Sequence, residues 1–340
     1  MKQMISLPKL AKSKSYNTAY FNLFLLPVLS KIAAMQLRHF FLCFAFAGLF
    51  LASCRNDPNA PTDTLNTGHI TISVDETYKP VIEQEKMVFD SSNPDAHVTI
   101  QYKSEAECFK DYFAGKVRLI LVTRELSEEE RKFCLSKKIY PESLELARDA
   151  VAVIVNKKSV DSMFSLAELS GILTGQYKKP FNVVFDNSGS STLRFIQDSI
   201  LHGAVLGKNV FAAHGNDKVV RYVQKNPNAI GIVGLSYVSS DDDPNNTGAF
   251  INTVKVAHIF NDATGEYLQP YQAYIALKSY PLSRNLYYIK NETYYGLATG
   301  FANFLAKDRG QLIFAHAHLF PLQKSVILRD AAITNNPIGK

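Results

Sequence analysis

The sequence of 340 residues lacks the motifs that would assign it a familiar chemistry. It has no tryptophan, no internal repeat and no C-x-x-C pair, and the absence of that pair argues against a zinc site. The motifs G-x-S-x-G, H-E-x-x-H and the P-loop are also absent, so hydrolase, metalloprotease and nucleotide-hydrolysing chemistry find no support. We therefore predict that the protein is not an enzyme and that it holds no metal and no cofactor.

Net charge is also missing from most of the chain, although the whole sequence carries a formal charge of +6. The first 53 residues contain six basic and no acidic residues, so the remaining 31 basic residues balance the 31 acidic ones. A basic surface that would attract nucleic acid is not indicated by this balance. We therefore predict no nucleic-acid partner.

The excess of basic residues belongs to a leader with the features of an export signal. Met35 to His39 is short and basic, Phe40 to Ala52 is an unbroken apolar run of 13 residues, and Ser53-Cys54 follows. Thirteen residues are too few to span a bilayer, but they suit the apolar part of a signal peptide. Small residues before a cysteine resemble the bacterial lipoprotein signal. The resemblance implies that Cys54 is lipidated and anchors the protein in the cell envelope, on the periplasmic or the outer surface.

These features divide the start of the chain into a leader and a tether. We assign residues 1–53 to the leader, with the signal proper over 35–53, and residues 54–67 to a polar tether. Because the signal is complete from Met35, the true start, Met1 or Met35, stays open. Cys108 and Cys134 lie in two different predicted helices of an exported chain, which leaves both a disulfide and two free buried thiols open.

Strands and helices alternate from Gly68 onward, which predicts βαβ units and a parallel sheet. A long apolar strand over Ala150 to Val155 separates a first α/β set from a second one, and strand-like runs return over Tyr274 to Ile289. The first set has strands at 69–74, 98–102 and 117–122, a helix that begins with Pro80, and a helix at 105–113. The second set has helices at 165–173 and 217–224 and a strand at 230–234, and a last helix covers 294–305.

A polar loop between a strand and a helix, Asp186 to Thr192, is the clearest candidate for a binding site. A helix start presents unpaired N–H groups and positive potential, and hydroxyls and a glycine surround it here, which suits an oxyanion. The alternative is an ordinary Ser/Thr helix cap. Ligands of open parallel sheets bind at the carboxyl ends of the strands, so Thr77, Ser104 and Arg124 are expected to face the same crevice as Ser188 to Thr192.

Four segments together resemble the phosphate-binding-protein family, the receptors of phosphate ABC importers. They are Asn187 to Ser191, which is similar to the family's anion loop, Asp149 to Asn156, which is similar to its hinge strand, Pro227 to Gly234, and Tyr280 to Tyr287. The resemblance implies an α/β, two-lobed periplasmic-binding-protein type II fold with a hinge between two parallel or mixed sheets. It further implies one lobe formed by 68–153 plus 287–330 and a second lobe formed by 154–286.

The resemblance implies a monomeric receptor that binds phosphate or a similar small oxyanion between the lobes and delivers it to an ABC permease. A surface lipoprotein of the same fold that acts in sensing or adhesion without transport, or that takes a different ligand, is the alternative. The ligand-binding residues that the resemblance implies are Thr77, Ser104, Thr123, Arg124, Ser188, Gly189, Ser190 and Ser191.

The chain departs from the family pattern at two places. Asp75 and Glu76 put carboxylates beside the first loop, and Val184 to Asp186 stands where the receptors usually have an arginine. A planar guanidinium is well suited to a desolvated anion, so Arg124 or Arg194 is the candidate substitute, and Arg124 is preferred because it follows a strand. A buried carboxylate, from Asp75, Glu76 or Asp186, would accept the proton that phosphate carries and sulfate lacks, so we expect a preference for protonated oxyanions.

Overall fold

The computed structural model describes residues 61–240 and 250–323. The predicted leader, the predicted lipidation site Cys54 and the first part of the predicted tether lie outside the described residues, as does the end of the predicted first lobe beyond residue 323. In the described ranges, no helix is both long enough and apolar enough to cross a membrane.

Short strands and helices alternate along the chain. The strands are β1 Gly68–Asp75, β2 Ala96–Lys103, β3 Leu119–Val122, β4 Glu142–Asn156, β5 Met163–Phe164, β6 Asn182–Phe185, β7 Val210–Ala212, β8 Ala229–Gly234, β9 Val254–Val256, β10 His258–Asn261, β11 Glu266–Leu268, β12 Ser283–Lys290 and β13 Phe320–Pro321. The helices are α1 Lys79–Ser92, α2 Glu105–Phe113, α3 Glu128–Ser136, α4 Leu166–Leu173, α5 Ser191–Ile196, α6 Asn216–Lys225, α7 Gln272–Ala276, α8 Leu297–Ala306 and α9 Asp308–His316.

The longest strand, β4, connects two halves of a mixed sheet. Residues Glu142–Ala150 of β4 pair antiparallel with β12, and Val151–Val155 pair antiparallel with β8. The strand order is β2-β1-β3-β12-β4-β8-β6-β7, with β9 and β13 also paired to β4. Strands β1, β2 and β3 run parallel to one another, as do β6, β7 and β8. The predicted strand over 150–155 is therefore the second half of a longer strand that both halves share.

Two large hydrophobic clusters lie on either side of this change of partner. One gathers buried side chains from residue 70 to Ala147 and from Leu286 to residue 319, and the other gathers those from Ala150 to Leu282. The predicted lobe boundaries, at 153/154 and 286/287, stay a prediction. A third, smaller cluster contains Cys108 and Cys134, which are both buried free thiols.

Local capping explains where several helices begin. In α2, α3 and α4 a serine precedes the first turn and a glutamate occupies the third helical position, and the glutamate carboxylate accepts the serine backbone N–H. In α3 and α4 the serine hydroxyl accepts the glutamate N–H in return, whereas in α2 that N–H donates to the Ser104 carbonyl. This pattern is visible in the sequence as Ser104 with Glu107, Ser127 with Glu130 and Ser165 with Glu168. The predicted bounds of α2, 105–113, agree with the structure for this reason.

Two parts of the chain differ from the sequence prediction. The strand-like reading of Tyr274 to Ile289 is wrong for its first part, because Gln272–Ala276 is helical and Ile275 packs in the core. The helix ends beside Lys278, whose φ of 57° turns the chain toward β12. The end of the predicted tether packs against the domain, since the buried carboxylate of Asp63 accepts the Leu297 N–H at 2.7 Å and pairs with Arg118.

Candidate functional site

The loop after β1 meets the start of α5 in a buried contact. Thr77 Oγ1 and Ser191 Oγ share a hydrogen bond of 3.2 Å, although the two residues are 114 positions apart. Asp75 Oδ1 accepts hydrogen bonds from the Thr77 backbone N–H at 3.0 Å and from its hydroxyl at 2.6 Å. All three residues are fully buried. The structure thus brings together Thr77 and Ser191, two of the predicted ligand-binding residues.

A buried arginine completes this contact. Arg284 Nη1 donates to Ser191 Oγ at 3.0 Å, and its Nε donates to Asp149 Oδ2 at 3.0 Å. Arg284 lies directly opposite Asp149 in the β12–β4 pairing, so both side chains project from the same face of the sheet. Burial disfavours the charge, but Tyr78, Asp149 and Asp75 together raise the pKa of Arg284, which therefore stays a cation.

Several polar atoms around this arginine have no hydrogen-bond partner among the described residues. They are Arg284 Nη2, Asp75 Oδ2, Asp149 Oδ1 and the Tyr78 hydroxyl, and each is buried. A buried polar atom without a partner is costly, and such atoms often mark a ligand position. We name Asp75, Thr77, Tyr78, Asp149, Ser191 and Arg284 the Arg284 centre. It offers one cationic donor and several oxygen acceptors to a ligand.

A second group of residues, at the start of α2 and the end of β3, is closed on itself. Glu105 Oε1 accepts the Thr123 N–H at 2.8 Å and the Thr123 hydroxyl at 2.7 Å. Glu105 Oε2 accepts from Arg194 Nε at 2.6 Å, while Arg194 Nη2 donates to Thr123 Oγ1 at 2.7 Å. We call Glu105, Thr123 and Arg194 the Glu105 cluster. The donors of Thr123, a predicted ligand residue, are occupied by a carboxylate of the chain itself.

The loop Ser188 to Ser190 makes the contacts of an ordinary helix cap. Ser190 Oγ accepts the Leu193 N–H at 3.2 Å, and the Gly189 N–H donates to Asn187 Oδ1 at 3.1 Å. Ser188 is exposed. Gly189 also approaches α2, since its carbonyl accepts the Ala106 N–H at 3.3 Å and an added Cβ would lie 3.3 Å from the Ser104 hydroxyl. Ser104 and Gly189 thus lie close together, and their part in ligand binding stays a prediction.

Arg124 lies apart from the Arg284 centre. Its guanidinium donates to both carboxylate oxygens of Glu130, at 2.7 and 2.9 Å, and stacks over Phe109 at 3.8 Å. With Ser188, Gly189 and Ser190 it lines a cavity of about 200 Å³. Among the described residues, the cation that contacts Ser191, the hydrogen-bond partner of Thr77, is Arg284. Arg124 and Arg194, the two candidates from the sequence, contact Glu130 and Glu105 instead.

A family model described as PBP superfamily domain matches residues 59–309 of the chain. The chain belongs to the PBP superfamily. Protein SphX of Synechococcus elongatus is 23% identical over 199 residues, which cover 54% of this chain and 59% of that relative. The phosphate-binding protein PstS of Pseudomonas aeruginosa is 24% identical over 221 residues, which cover 58% of this chain and 65% of that relative. The chain therefore spans less than two thirds of the length of these curated relatives.

Solved structures with the same fold agree with this assignment. A Clostridium perfringens structure, described as a phosphate ABC transporter substrate-binding protein with bound phosphate, has a TM-score of 0.63 and 24% identity. The match covers 75% of this chain and 100% of that one. An ABC-type phosphate transport receptor from Vibrio cholerae has a TM-score of 0.58 and 17% identity over 74% of this chain and 99% of that one. The predicted fold class, an α/β periplasmic-binding-protein fold, is confirmed.

Two acidic residues of this PBP domain, Asp75 and Glu76, hold protons more tightly than usual. Burial, and then the nearby Glu105 carboxylate, raise the pKa of Asp75 to about 6. Burial, and then Asp186 and Asp75, raise the pKa of Glu76 to about 7. Burial also opposes ionisation of Glu105, but Arg194 and Thr123 outweigh it and lower the pKa of that carboxyl. Asp75 and Glu76 therefore exchange protons near neutral pH, whereas Glu105 stays an anion.

Arg284 could have been found from the alternation of its strand. In β12 of the PBP domain, Leu286 and Tyr288 are buried on the same side as Arg284, whereas Ser283, Asn285 and Tyr287 are only partly buried. An arginine in the buried register of an alternating strand requires a partner or a ligand. That signal was present in the sequence, but Asp149, the partner of Arg284, is 135 positions away.

Proposed function

We propose that the protein is an extracytoplasmic receptor that binds phosphate or a similar small oxyanion at the Arg284 centre and delivers it to an ABC importer. The observation that carries the proposal is the buried guanidinium of Arg284, whose Nη2 has no partner among the described residues. A desolvated anion needs charge-assisted donors, and Arg284 supplies one beside the hydroxyls of Thr77 and Ser191.

The family relatives support phosphate as the ligand. PstS of Pseudomonas aeruginosa is named a phosphate-binding protein, and the Clostridium perfringens structure contains bound phosphate. Both belong to a class of binding proteins rather than enzymes, in line with the absence of catalytic motifs in this sequence. An ABC permease is accordingly the partner that we propose.

The carboxylates of the centre favour a protonated oxyanion. Asp75 Oδ2 is buried without a partner among the described residues. The other oxygen of the same carboxylate, Oδ1, accepts a hydrogen bond from the Thr77 hydroxyl. Hydrogen phosphate can donate to such an oxygen and accept from Arg284, whereas sulfate can only accept. An ionised Asp75 beside sulfate would leave two anions in contact, which is unfavourable in a buried site. Discrimination against sulfate follows.

Contacts between the two halves of the sheet suit a receptor that closes around its ligand. Apart from the Thr77–Ser191 bond, Ser236 donates to the Thr77 carbonyl at 2.9 Å and the Tyr237 hydroxyl donates to the Glu76 carbonyl at 2.9 Å. These bonds join the loop after β1, which contains Glu76 and Thr77, to the turn after β8. A ligand that contacts both Thr77 and Ser191 binds the closed arrangement better than an open one, which is the condition for a shift toward closure.

The location that we propose is the cell envelope, with lipid on Cys54 as the anchor and a monomer as the working unit. Labelling of cells with a radioactive or clickable fatty acid tests the anchor, because a Cys54→Ser variant should lose the label. Retention of the label in that variant would contradict lipidation at Cys54.

Calorimetric titration of the purified chain with phosphate and with sulfate tests the proposed function. We expect phosphate to bind and sulfate to bind at least about tenfold more weakly, since one charge-assisted hydrogen bond is replaced by repulsion. Ser191→Ala removes only a hydroxyl and should weaken phosphate binding by about tenfold. No heat of binding at millimolar phosphate, with a folded chain, would overturn the proposal.

A further inference from the structure

A cavity of about 350 Å³ lies beside the Arg284 centre. Strand β3 pairs only with Tyr287 to Lys290 of β12, so the edge of β12 from Ser283 to Leu286 has no β3 partner. The cavity occupies this place and is closed on another side by Arg194 and Phe195. It is lined both by buried Arg284 and by exposed Lys278, so it leads from the centre to the surface.

The lining of this cavity is cationic. Four of its residues carry a positive charge, Arg148, Arg194, Lys278 and Arg284, and none of its lining residues is acidic. Arg194 forms an ion pair with Glu105, and Arg284 forms one with Asp149. Within residues 61–240 and 250–323, Arg148 and Lys278 form no ion pair. Two positive charges at this cavity are therefore available to an anion.

Arg148 is also held in place without using all its donors. Its Nη1 donates to the carbonyls of Ile275 and Ala276, at 3.2 and 2.7 Å, which fixes the guanidinium at the end of α7. Its Nε is buried without a partner. Among the arginines and lysines of the described ranges, the buried nitrogens without a partner are Arg148 Nε and Arg284 Nη2, and both residues line this one cavity.

The cavity is larger than a single tetrahedral anion requires. Its volume falls in the range of small-molecule sites, about 300–1,000 Å³. The neutral residues Thr123, Ser283, Asn285 and Tyr287 also line the cavity, but their donors are used within the chain. The charged nitrogens therefore provide the contacts for an anion. An orthophosphate at Arg284 would leave Arg148 and Lys278 without a counterion.

We propose that the ligand is a small phosphorylated compound with a second anionic group. This inference rests on the proposed function, because it places the phosphoryl group at Arg284 and Ser191. The second anionic group occupies the cavity and contacts Arg148 and Lys278. Pyrophosphate and phosphonoacetate represent this class of ligand, and methyl phosphate represents a phosphoryl compound without the second charge.

Calorimetry on the full chain with four probes tests the inference. Orthophosphate, methyl phosphate, phosphonoacetate and pyrophosphate are titrated at one pH and one salt concentration. We expect the two probes with a second anionic group to bind at least about tenfold tighter than orthophosphate and methyl phosphate, because a hydrogen bond to a charged group is gained. Pyrophosphate and phosphonoacetate that bind no tighter than orthophosphate would overturn the inference and leave the proposed function standing.

A lysine variant localises the second anionic group. Lys278→Gln removes an exposed charge and should weaken pyrophosphate binding by about threefold, with orthophosphate affinity unchanged within error. Lys208→Gln is the matched control, because Lys208 is exposed and lines a different cavity, and it should leave both affinities unchanged. Equal effects of the two variants on pyrophosphate would contradict the assignment. Failure of all four probes to bind would overturn the proposed function together with the inference.

Discussion

The Arg284 centre and the Glu105 cluster are both buried polar groups that join distant parts of the chain, yet they differ in how their atoms are used. In the Glu105 cluster, one carboxylate accepts three hydrogen bonds from Thr123 and Arg194. In the Arg284 centre, four polar atoms lack a partner among the described residues. The satisfied network stabilises the fold, whereas the four atoms of the Arg284 centre are where the proposed anion would find its partners.

The difference separates two roles that the sequence suggested for the same loops. Thr123 and Arg194 look like ligand residues in the sequence, but their donors hold the start of α2 to the end of β3 and to α5. Arg284 looks like an ordinary strand residue, but it carries the free donor. We therefore expect substitutions in the Glu105 cluster to change stability first, and those in the Arg284 centre to change anion binding first.

The largest effect is expected from Arg284→Met. The variant should lose phosphate affinity by more than about tenfold, because a charge-assisted donor is removed. It should also lose about 3–5 kcal/mol of unfolding free energy, because Asp149 is left buried without its ion pair. Calorimetry and urea denaturation measure the two quantities.

A double variant separates the two losses. Arg284→Met with Asp149→Asn removes the unpaired charge as well, so most of the stability should return while phosphate binding stays lost. Recovery of phosphate binding in the double variant would mean that Arg284 acts only through the fold.

The next effect concerns the close approach of Gly234 to Thr77. An added Cβ at Gly234 would lie 2.1 Å from Thr77 Cγ2, so Gly234→Ala must displace the threonine that contacts Ser191. We expect about tenfold weaker phosphate binding and a loss of about 1–3 kcal/mol of stability.

Gly171→Ala is the control for this substitution. Gly171 lies in α4, the nearest atom to an added Cβ is 3.8 Å away, and the variant should keep phosphate affinity. Equal phosphate affinities for Gly234→Ala and the wild type would show that Thr77 does not contribute to the site.

A substitution in the Glu105 cluster should lower stability but leave phosphate affinity almost unchanged. Glu105→Gln places an amide against Arg194 or Thr123 and replaces a charge-assisted bond, so we expect a loss of about 1–3 kcal/mol in urea denaturation. Phosphate affinity should stay within about threefold of the wild type, since the donor of Arg284 is untouched. A loss of affinity as large as that of Arg284→Met, with stability retained, would reverse the roles of the two regions.

Stability should also depend on pH. The folded pKa of Asp75, about 6, lies above its ordinary value of 3.8, so the folded chain keeps a proton that the unfolded chain releases. The contribution of Asp75 is therefore present at low pH and falls as pH rises from about 4 to 6. Asp75→Asn keeps an oxygen that can accept the hydrogen bonds of Thr77 but removes the titrating group. The variant should therefore flatten the stability profile between about pH 4 and 6.

Urea denaturation of the wild type and the variant from pH 4 to 7 measures this slope. Exposed Asp262→Asn serves as the control and should leave the profile unchanged. A slope that is the same in the Asp75→Asn variant and in the wild type would contradict the raised pKa of Asp75.

Local signals predicted the elements of the fold better than they predicted the site. The capping pair Ser104 and Glu107 lies within one turn, so the start of α2 was readable from neighbouring residues. The contact of Arg284 with Ser191 requires the β12–β4 register and the position of α5, which arise only from the folded chain. Thr77 and Ser191 were predicted from the rule that ligands of open parallel sheets bind at the carboxyl ends of the strands. That rule already assumes the topology of the sheet, so it brings distant residues together.

A crystal structure of the protein with arsenate would show whether the anion binds at the Arg284 centre, because the anomalous signal of arsenic locates the anion directly. We expect an arsenic peak beside the hydroxyls of Thr77 and Ser191, with an arsenate oxygen about 2.7–3.0 Å from Arg284 Nη2. A peak in the cavity lined by Arg124 and Ser188 instead, with Arg284 free of the anion, would contradict it.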